Sequence, residues 1–190
     1  MCKKRKAAYC IVLTSIEVFN SIGGQKETEG IYSLISNTKE ACAVLGISVG
    51  LIKDFSLPVE TIKKFNSLKL IPGIEQLAQY NLGILRKLEI YLERAKKDEL
   101  VLFNIEPKGN GYLERMYPNA NICLPGGGLE YKDGNDLMKT AWREFYEEVG
   151  IMLPFIGENL EAIAYLSIHS SSKHSVYFMI RCFSFILQNE

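Results

Sequence analysis

The stretch REFYEEVG, residues 143–150, packs three glutamates, an arginine and a glycine into eight residues. On a helix, Glu144 and Glu148 are four apart and Glu147 is three beyond Glu144, so the carboxylates fall on one side. Crowded like charges repel, and no lysine stands four residues on to relieve them. The C-terminal end of a helix also favours cations, not anions. A hard divalent cation would offset these costs, because magnesium prefers carboxylate oxygen and water and often bridges to substrate phosphates. The competing reading is a solvated acidic helix end. Glutamate is a common helix former, and acidic runs occur without metal.

The preceding residues, LPGGGLEYKDGN (124–135), bear on that choice. Gly126, Gly127 and Gly128 follow a predicted strand and precede the acidic helix. Glycines there allow a tight turn and close backbone approach. Consecutive exposed N–H groups can cradle an anionic oxygen, so these three are the expected phosphate-binding loop. Together with the carboxylates they make a site for a diphosphate and a metal coherent.

The elements that must position these residues are readable in outline. AAYCIVLTSIEVF (7–19) is β-branched and aromatic and reads as a strand. NSIGGQKETEG (20–30) reads as a loop and IYSLIS (31–36) as a short strand. From Thr38 to about Lys97 the pattern is mostly helical, with Thr38 a candidate N-cap and the longest run at 74–97. ELVLFNIEPKGNG (99–111) and ANICLPGGG (120–128) return to strands that end in glycine loops. DLMKTAWREFYEEVG (136–150) is a helix, with Asp136 or Asn135 as N-cap and Gly150 as C-cap. Residues 160–170 and 174–187 are two late strands joined by a short polar loop. This order predicts one α/β domain over residues 1–190, built on a layered mixed sheet, with a helical insertion at about 38–97. The last predicted strand runs almost to the end of the chain, so no closing C-terminal helix is expected. Trp142 is expected to pack against the core or its edge; the sharper alternative is an aromatic surface near substrate.

Composition narrows the class. Hydrophobic residues make up 47%, enough for a real core. Lys plus Arg and Asp plus Glu are 22 each, so there is no global steering towards nucleic acid or membrane. The five cysteines form no C-x-x-C pair and there are only two histidines, which argues against structural zinc. Buried free thiols in a reducing, cytoplasmic setting fit better than a disulfide framework, which would leave one cysteine over. MCKKRK is read as a basic lead into a strand, not as a targeting segment, and no run approaches a membrane span.

Arg143, Glu144, Phe145, Glu147, Glu148, Gly150 and Ile151 match the second half of a known signature, G-x5-E-x7-R-E-U-x-E-E-x-G-U, where U is bulky and apolar. Leu124, Pro125, Gly126, Gly127 and Glu130 look like the usual approach to its first half. The chain thus resembles the Nudix hydrolases over about thirty residues. The resemblance implies the Nudix fold, a mixed sheet sandwiched by helices, and hydrolysis of a nucleoside diphosphate linked to another moiety. It makes Glu147, Glu148 and Arg143 the catalytic set, with Glu144, Glu147 and Glu148 holding Mg2+ or Mn2+. The metal would polarise the phosphates and lower the pKa of the attacking water. There are two departures. Seven residues separate Gly127 from Asn135 where the family has five, and counting back eight from Arg143 meets Asn135 where the family has glutamate. Asparagine has no charge to pair with the arginine, so Asn135 and its neighbour Asp136 are read as supporting residues, with Asp136 able to compensate. The alternative is a catalytically weak or inactive Nudix-fold protein that binds nucleotide or RNA, or regulates.

A general base would lie beyond the signature. Glu158, Glu161, Glu190, His169 and His174 are the candidates, each more simply read as a surface or hairpin residue. The resemblance implies a small-molecule nucleotide diphosphate as partner. RNA, including capped RNA, is a further substrate class. Lys63, Lys64, Lys69, Arg86, Lys87, Arg94, Lys96 and Lys97 could join Lys3, Lys4, Arg5 and Lys6 in a phosphate track. Nothing points to a membrane partner, and oligomeric state is not encoded.

Overall fold

The structure is a computed structural model that describes residues 4–24, 26–28, 30–35, 43–53, 89–106 and 121–186. Strand β1 (Arg5–Thr14) is its axis. It runs parallel to β9 (Lys173–Cys182) in unbroken register, from Arg5 opposite Lys173 to Thr14 opposite Cys182. β8 (Leu160–His169) adds antiparallel to β9, with a bulge between Ala162 and Ala164. On the other side come β5 (Leu100–Glu106), β4 (Ala43–Ser48), β3 (Ile31–Ile35) and β2 (Lys26–Thr28). One path therefore runs β2-β3-β4-β5-β1-β9-β8. Two short strands pair off it, β6 (Asn121–Cys123) on β5 and β7 (Gly126–Gly128) on β1.

β1 reads RKAAYCIVLT and buries both faces, as its near-continuous apolar run requires. Ala8, Cys10 and Val12 face one core, with Val176 and Ile180 of β9 and with Ala141, Phe145 and Val149 of helix α3 (Leu137–Val149). Ile11 and Leu13 face the other, with Val101, Phe103, Tyr177 and Met179. Leu92 and Ala95, from a helical turn at residues 89–92 and the loop after it, close that second core. The loop is tied down by Glu99, a buried carboxylate paired with Arg181 of β9, and Arg181 in turn reaches Glu161 at 2.8 Å. The mixed α/β architecture expected from the sequence is present. No helix among the described residues is long and apolar enough to cross a membrane.

Several boundaries differ from expectation. The first strand ends at Thr14, because the Ser15 side chain accepts from Val18 N at 3.2 Å and starts the short helix α1 (Ile16–Ser21). The expected helix from Thr38 is instead strand β4, followed by the five-residue helix α2 (Val49–Lys53), so residues 43–48 belong to the sheet. The rest of the expected insertion, residues 38–42 and 54–88, lies outside the described residues, as do Lys3 and Glu190. The long helical run expected to Lys97 ends at residue 92. The glycine run after Pro125 is a strand, not a turn.

α3 is held by its apolar flank. Asp136 caps its first turn, its Oδ1 accepting from Met138 N (2.9 Å) and Lys139 N (3.3 Å). Gly150 ends it in a left-handed conformation, φ 77°, with its N–H on Tyr146 O. Trp142 donates Nε1–H to Pro154 O at 3.2 Å and meets Phe178 edge-on, so it is an edge-packing residue. Phe145 is fully buried between α3 and the sheet. Phe145→Ala is expected to lower unfolding free energy by about 3–5 kcal/mol, read from urea denaturation at neutral pH.

Candidate functional site

Two short elements meet the polar side of α3: the glycine strand β7, and a 3-10 turn, Tyr131–Asp133, that leads into the helix. β7 lies antiparallel to β1, with Ala7 opposite Gly128, Ala8 opposite Gly127 and Tyr9 opposite Gly126. A Cβ on Gly126 would fall 2.4 Å from Ala8 O, and one on Gly127 would fall 2.4 Å from Glu144 Oε2. At Gly126 the obstacle is the β1 backbone, so a side chain there would separate β7 from β1; at Gly127 it is the Glu144 carboxylate, which a side chain would displace from its position. Close approach therefore requires glycine at Gly126 and keeps Glu144 in place at Gly127, whereas a Cβ at Gly128 would meet nothing within 4 Å. Gly126 N donates to Glu148 Oε2 at 2.8 Å, and Gly128 O accepts from Arg143 Nη2 at 2.9 Å.

Arg143 organises the rest. Its Nε donates to Asp133 Oδ1 at 2.8 Å and its Nη2 to Asp133 Oδ2 at 2.9 Å, a bidentate fork. Its Nη1 donates to Glu144 Oε1 at 2.8 Å and Glu147 Oε2 at 2.9 Å. Glu147 also meets Lys132 Nζ at 3.1 Å. Part of the repulsion that pointed to a metal is thus relieved inside the protein. A negative surplus remains: five carboxylates (Glu130, Asp133, Glu144, Glu147, Glu148) meet two cations, Lys132 and Arg143.

Asp133 is the residue that reading back from Arg143 overlooked. It is 3% exposed. Besides the two arginine contacts, its Oδ2 accepts from Glu130 N and Thr140 Oγ1, each at 2.9 Å. Arg143 holds its carboxyl well below the usual range, against the opposing effect of burial. The expectation that Asn135 takes the glutamate's place is corrected by this geometry. Five residues separate Gly127 from Asp133, the spacing of the signature's first half. The two extra residues lie after it, in the turn Gly134–Asn135, where both are left-handed with φ 62° and 65°. An aspartate with the family's forward spacing was the available signal. Asn135 instead accepts from Lys6 Nζ at 3.1 Å, and Asp136 is spent on the helix cap, so neither compensates for a missing charge.

Glu148 is 6% exposed and lies close enough to Cys10 for its charge to add to burial in pushing the Cys10 thiol up. Cys10 is a neutral donor there, its Sγ on Ala141 O. Glu144 and Glu148 thus reach neighbouring residues of one glycine strand, whereas Glu147 turns towards Lys132. The donor set is all carboxylate oxygen with a negative surplus, which fits a hard divalent cation in chemistry. Among the described residues, no three His, Cys, Asp or Glu side chains converge in a metal-holding arrangement. Of the candidate bases, Glu161 is engaged by Arg181, Glu158 lies in an exposed turn before β8, and His169 and His174 sit together at the β8–β9 hairpin.

No family model matches the chain, and no solved structure matches it. A peroxisomal coenzyme A diphosphatase of Caenorhabditis elegans, ndx-8, is 46% identical over 37 residues. That match spans 20% of this chain and 15% of the relative's length. It gives weak support to a Nudix-type hydrolase and carries nothing about substrate.

Asp133→Asn tests the hub. A depressed aspartate contributes stability above its unfolded pKa of about 3.9 and loses it as pH falls through the lower folded value. The variant is expected to be less stable than the parent by about 1.5–3 kcal/mol at pH 7. That gap narrows below about pH 4, as measured by urea denaturation across pH.

Proposed function

We propose that the chain is a metal-dependent diphosphohydrolase of the Nudix type, acting on a nucleoside diphosphate linked to another moiety. The observation that carries this is the single lattice joining Asp133, Arg143, the α3 glutamates and the glycine strand. In such a reaction water adds across a phosphoanhydride. The water oxygen joins the attacked phosphorus, one bridging P–O bond breaks, and two phosphate products leave. Glu144, Glu147 and Glu148 would hold Mg2+ or Mn2+, which supplies charge neutralisation at the phosphates and a more acidic attacking water.

The chain's own residues prepare that site. Asp133 fixes the guanidinium plane, and Nη1 of Arg143 then sets the rotamers of Glu144 and Glu147. Gly126 N fixes Glu148 from the strand side. Glu144 and Glu148 are held beside one glycine strand, and a cation would draw Glu147 away from Lys132 to complete the set. The charged partner whose loss motivated a weakened enzyme is supplied by Asp133, which favours turnover. One observation supports the second reading, a binding or regulatory protein: Nη1 of Arg143 already bridges two of the three carboxylates.

A hydrolysis screen with Mg2+ or Mn2+ separates the two. The panel holds coenzyme A, nucleotide sugars, dinucleoside polyphosphates and capped RNA. Release of a nucleoside monophosphate product is expected, lost in chelator, and reduced by about 10–100-fold or more in Glu148→Gln. Ligand binding without turnover across the panel would favour the second reading, and full turnover in chelator would contradict the first. Asn135→Glu is expected to leave kcat/KM within about twofold, because Arg143 already has its carboxylate.

A further inference from the structure

A second group of ionisable side chains lies on the same face of the sheet, and the diphosphohydrolase reading does not use it. α3 covers Ala8 and Cys10 of β1 and Val176 of β9. One strand period earlier on each strand stand Lys6 and His174, which are register partners on that face. His174 is also paired with His169 across the hairpin. Lys6 Nζ reaches Asn135, directly before the cap of α3. The group therefore flanks the N-terminal end of that helix.

The rings of His169 and His174 stack with centroids 4.0 Å apart and planes 12° from parallel. Their Nε2 atoms converge on one hydroxyl, Ser167 Oγ, at 3.1 and 2.8 Å. A hydroxyl can donate to one imidazole and accept from the other, so it holds two neutral rings of opposite tautomer. Charging His174 is resisted. His174 is held below its ordinary value by desolvation and then by His169, Lys6 and Lys4. Among the described residues, no carboxylate forms an ion pair with Lys4, Lys6, His169 or His174. Asp136, the acid next to Asn135, has its Oδ1 on the first turn of α3.

Converging imidazole nitrogens suit either a transition metal or an anion. The flanking lysines decide between them, since they repel a cation and attract a dianion. We propose that Lys6, His169 and His174, with Ser167 bridging the two Nε2 atoms and Lys4 two residues before Lys6 on the chain, form a binding site for a phosphate monoester dianion. Its oxygens accept from the lysine ammonium groups and from imidazolium N–H, and the neutralised charge lets His174 take up a proton. Binding therefore strengthens as pH falls from about 8 towards the phosphate second pKa of about 6. By linkage, phosphate raises the pKa of His174. This site stands whether or not the chain hydrolyses diphosphates.

Ring 15N NMR of the full chain, titrated in pH with and without inorganic phosphate, tests it. Phosphate is expected to shift both histidines saturably and to raise the His174 pKa. Lys6→Gln and Lys4→Gln, both exposed and compatible with the fold, should each weaken binding by about tenfold. A nucleoside monophosphate arm distinguishes sources: tighter binding than inorganic phosphate identifies the site with an arm of a larger ligand, and equal binding identifies it with the free ion. Histidine titrations unchanged by tens of millimolar phosphate would overturn the proposal. So would an equal shift with acetate at matched ionic strength, or unaltered binding in both lysine variants.

Discussion

Asp133 is an ionised carboxylate with almost no exposed surface, and it stays charged because Arg143 meets it with two parallel N–H donors at 2.8 and 2.9 Å. The guanidinium, pinned along that edge, has its remaining donor free for Glu144 and Glu147. It also reaches back to Gly128 O and so to the strand beside β1. Fork geometry matters here. A lysine would supply the charge without fixing a plane, and the glutamate rotamers would lose their template.

The rest of the fold brings two surfaces to that fork. From below, Ala141, Phe145 and Val149 seat α3 on the sheet, which turns its glutamate side towards β7. From the flank, a strand of three glycines comes close enough for its backbone to touch Glu144 and Glu148. Glycine is a poor strand former. Its use at Gly126 and Gly127 trades strand stability for a close approach to β1 and to the Glu144 carboxylate. Like charges gathered at the C-terminal end of a helix are unfavourable as well. Such local conflicts tend to mark functional sites, where compensation comes from elsewhere in the structure; here part of it comes from Arg143 and Lys132.

Much of this was legible in the chain, for identifiable reasons. α3 carries its own punctuation, Asp136 at one end and Gly150 at the other, and its boundaries follow. β1, β5 and the late hairpin are long apolar runs with strand-forming residues and are strands as expected, although β1 stops at Thr14 and β9 at Cys182, short of the expected residues 19 and 187. AVLGIS suits helix as well as strand, because a six-residue apolar run has no decisive period, and only pairing with β3 and β5 makes it a strand. Ser15 was hidden inside a strand-like composition, although serine is an ordinary helix cap. Asp133 is out of step with Arg143 because a two-residue left-handed turn intervenes, and its spacing is regular only from Gly127. The match to ndx-8 covers too little of either chain to settle that spacing.

The proposal turns on Glu144, Glu147 and Glu148 holding a hard cation beside Arg143 and the glycine strand. Titration of the protein with Mn2+, followed by the electron paramagnetic resonance signal of the free ion, tests it without knowledge of the substrate. Saturable binding is predicted, weakened by about 10–100-fold in Glu148→Gln and in Glu144→Gln with the fold intact. Binding that is equally strong in both variants, or absent from the parent protein at millimolar Mn2+, would contradict the account.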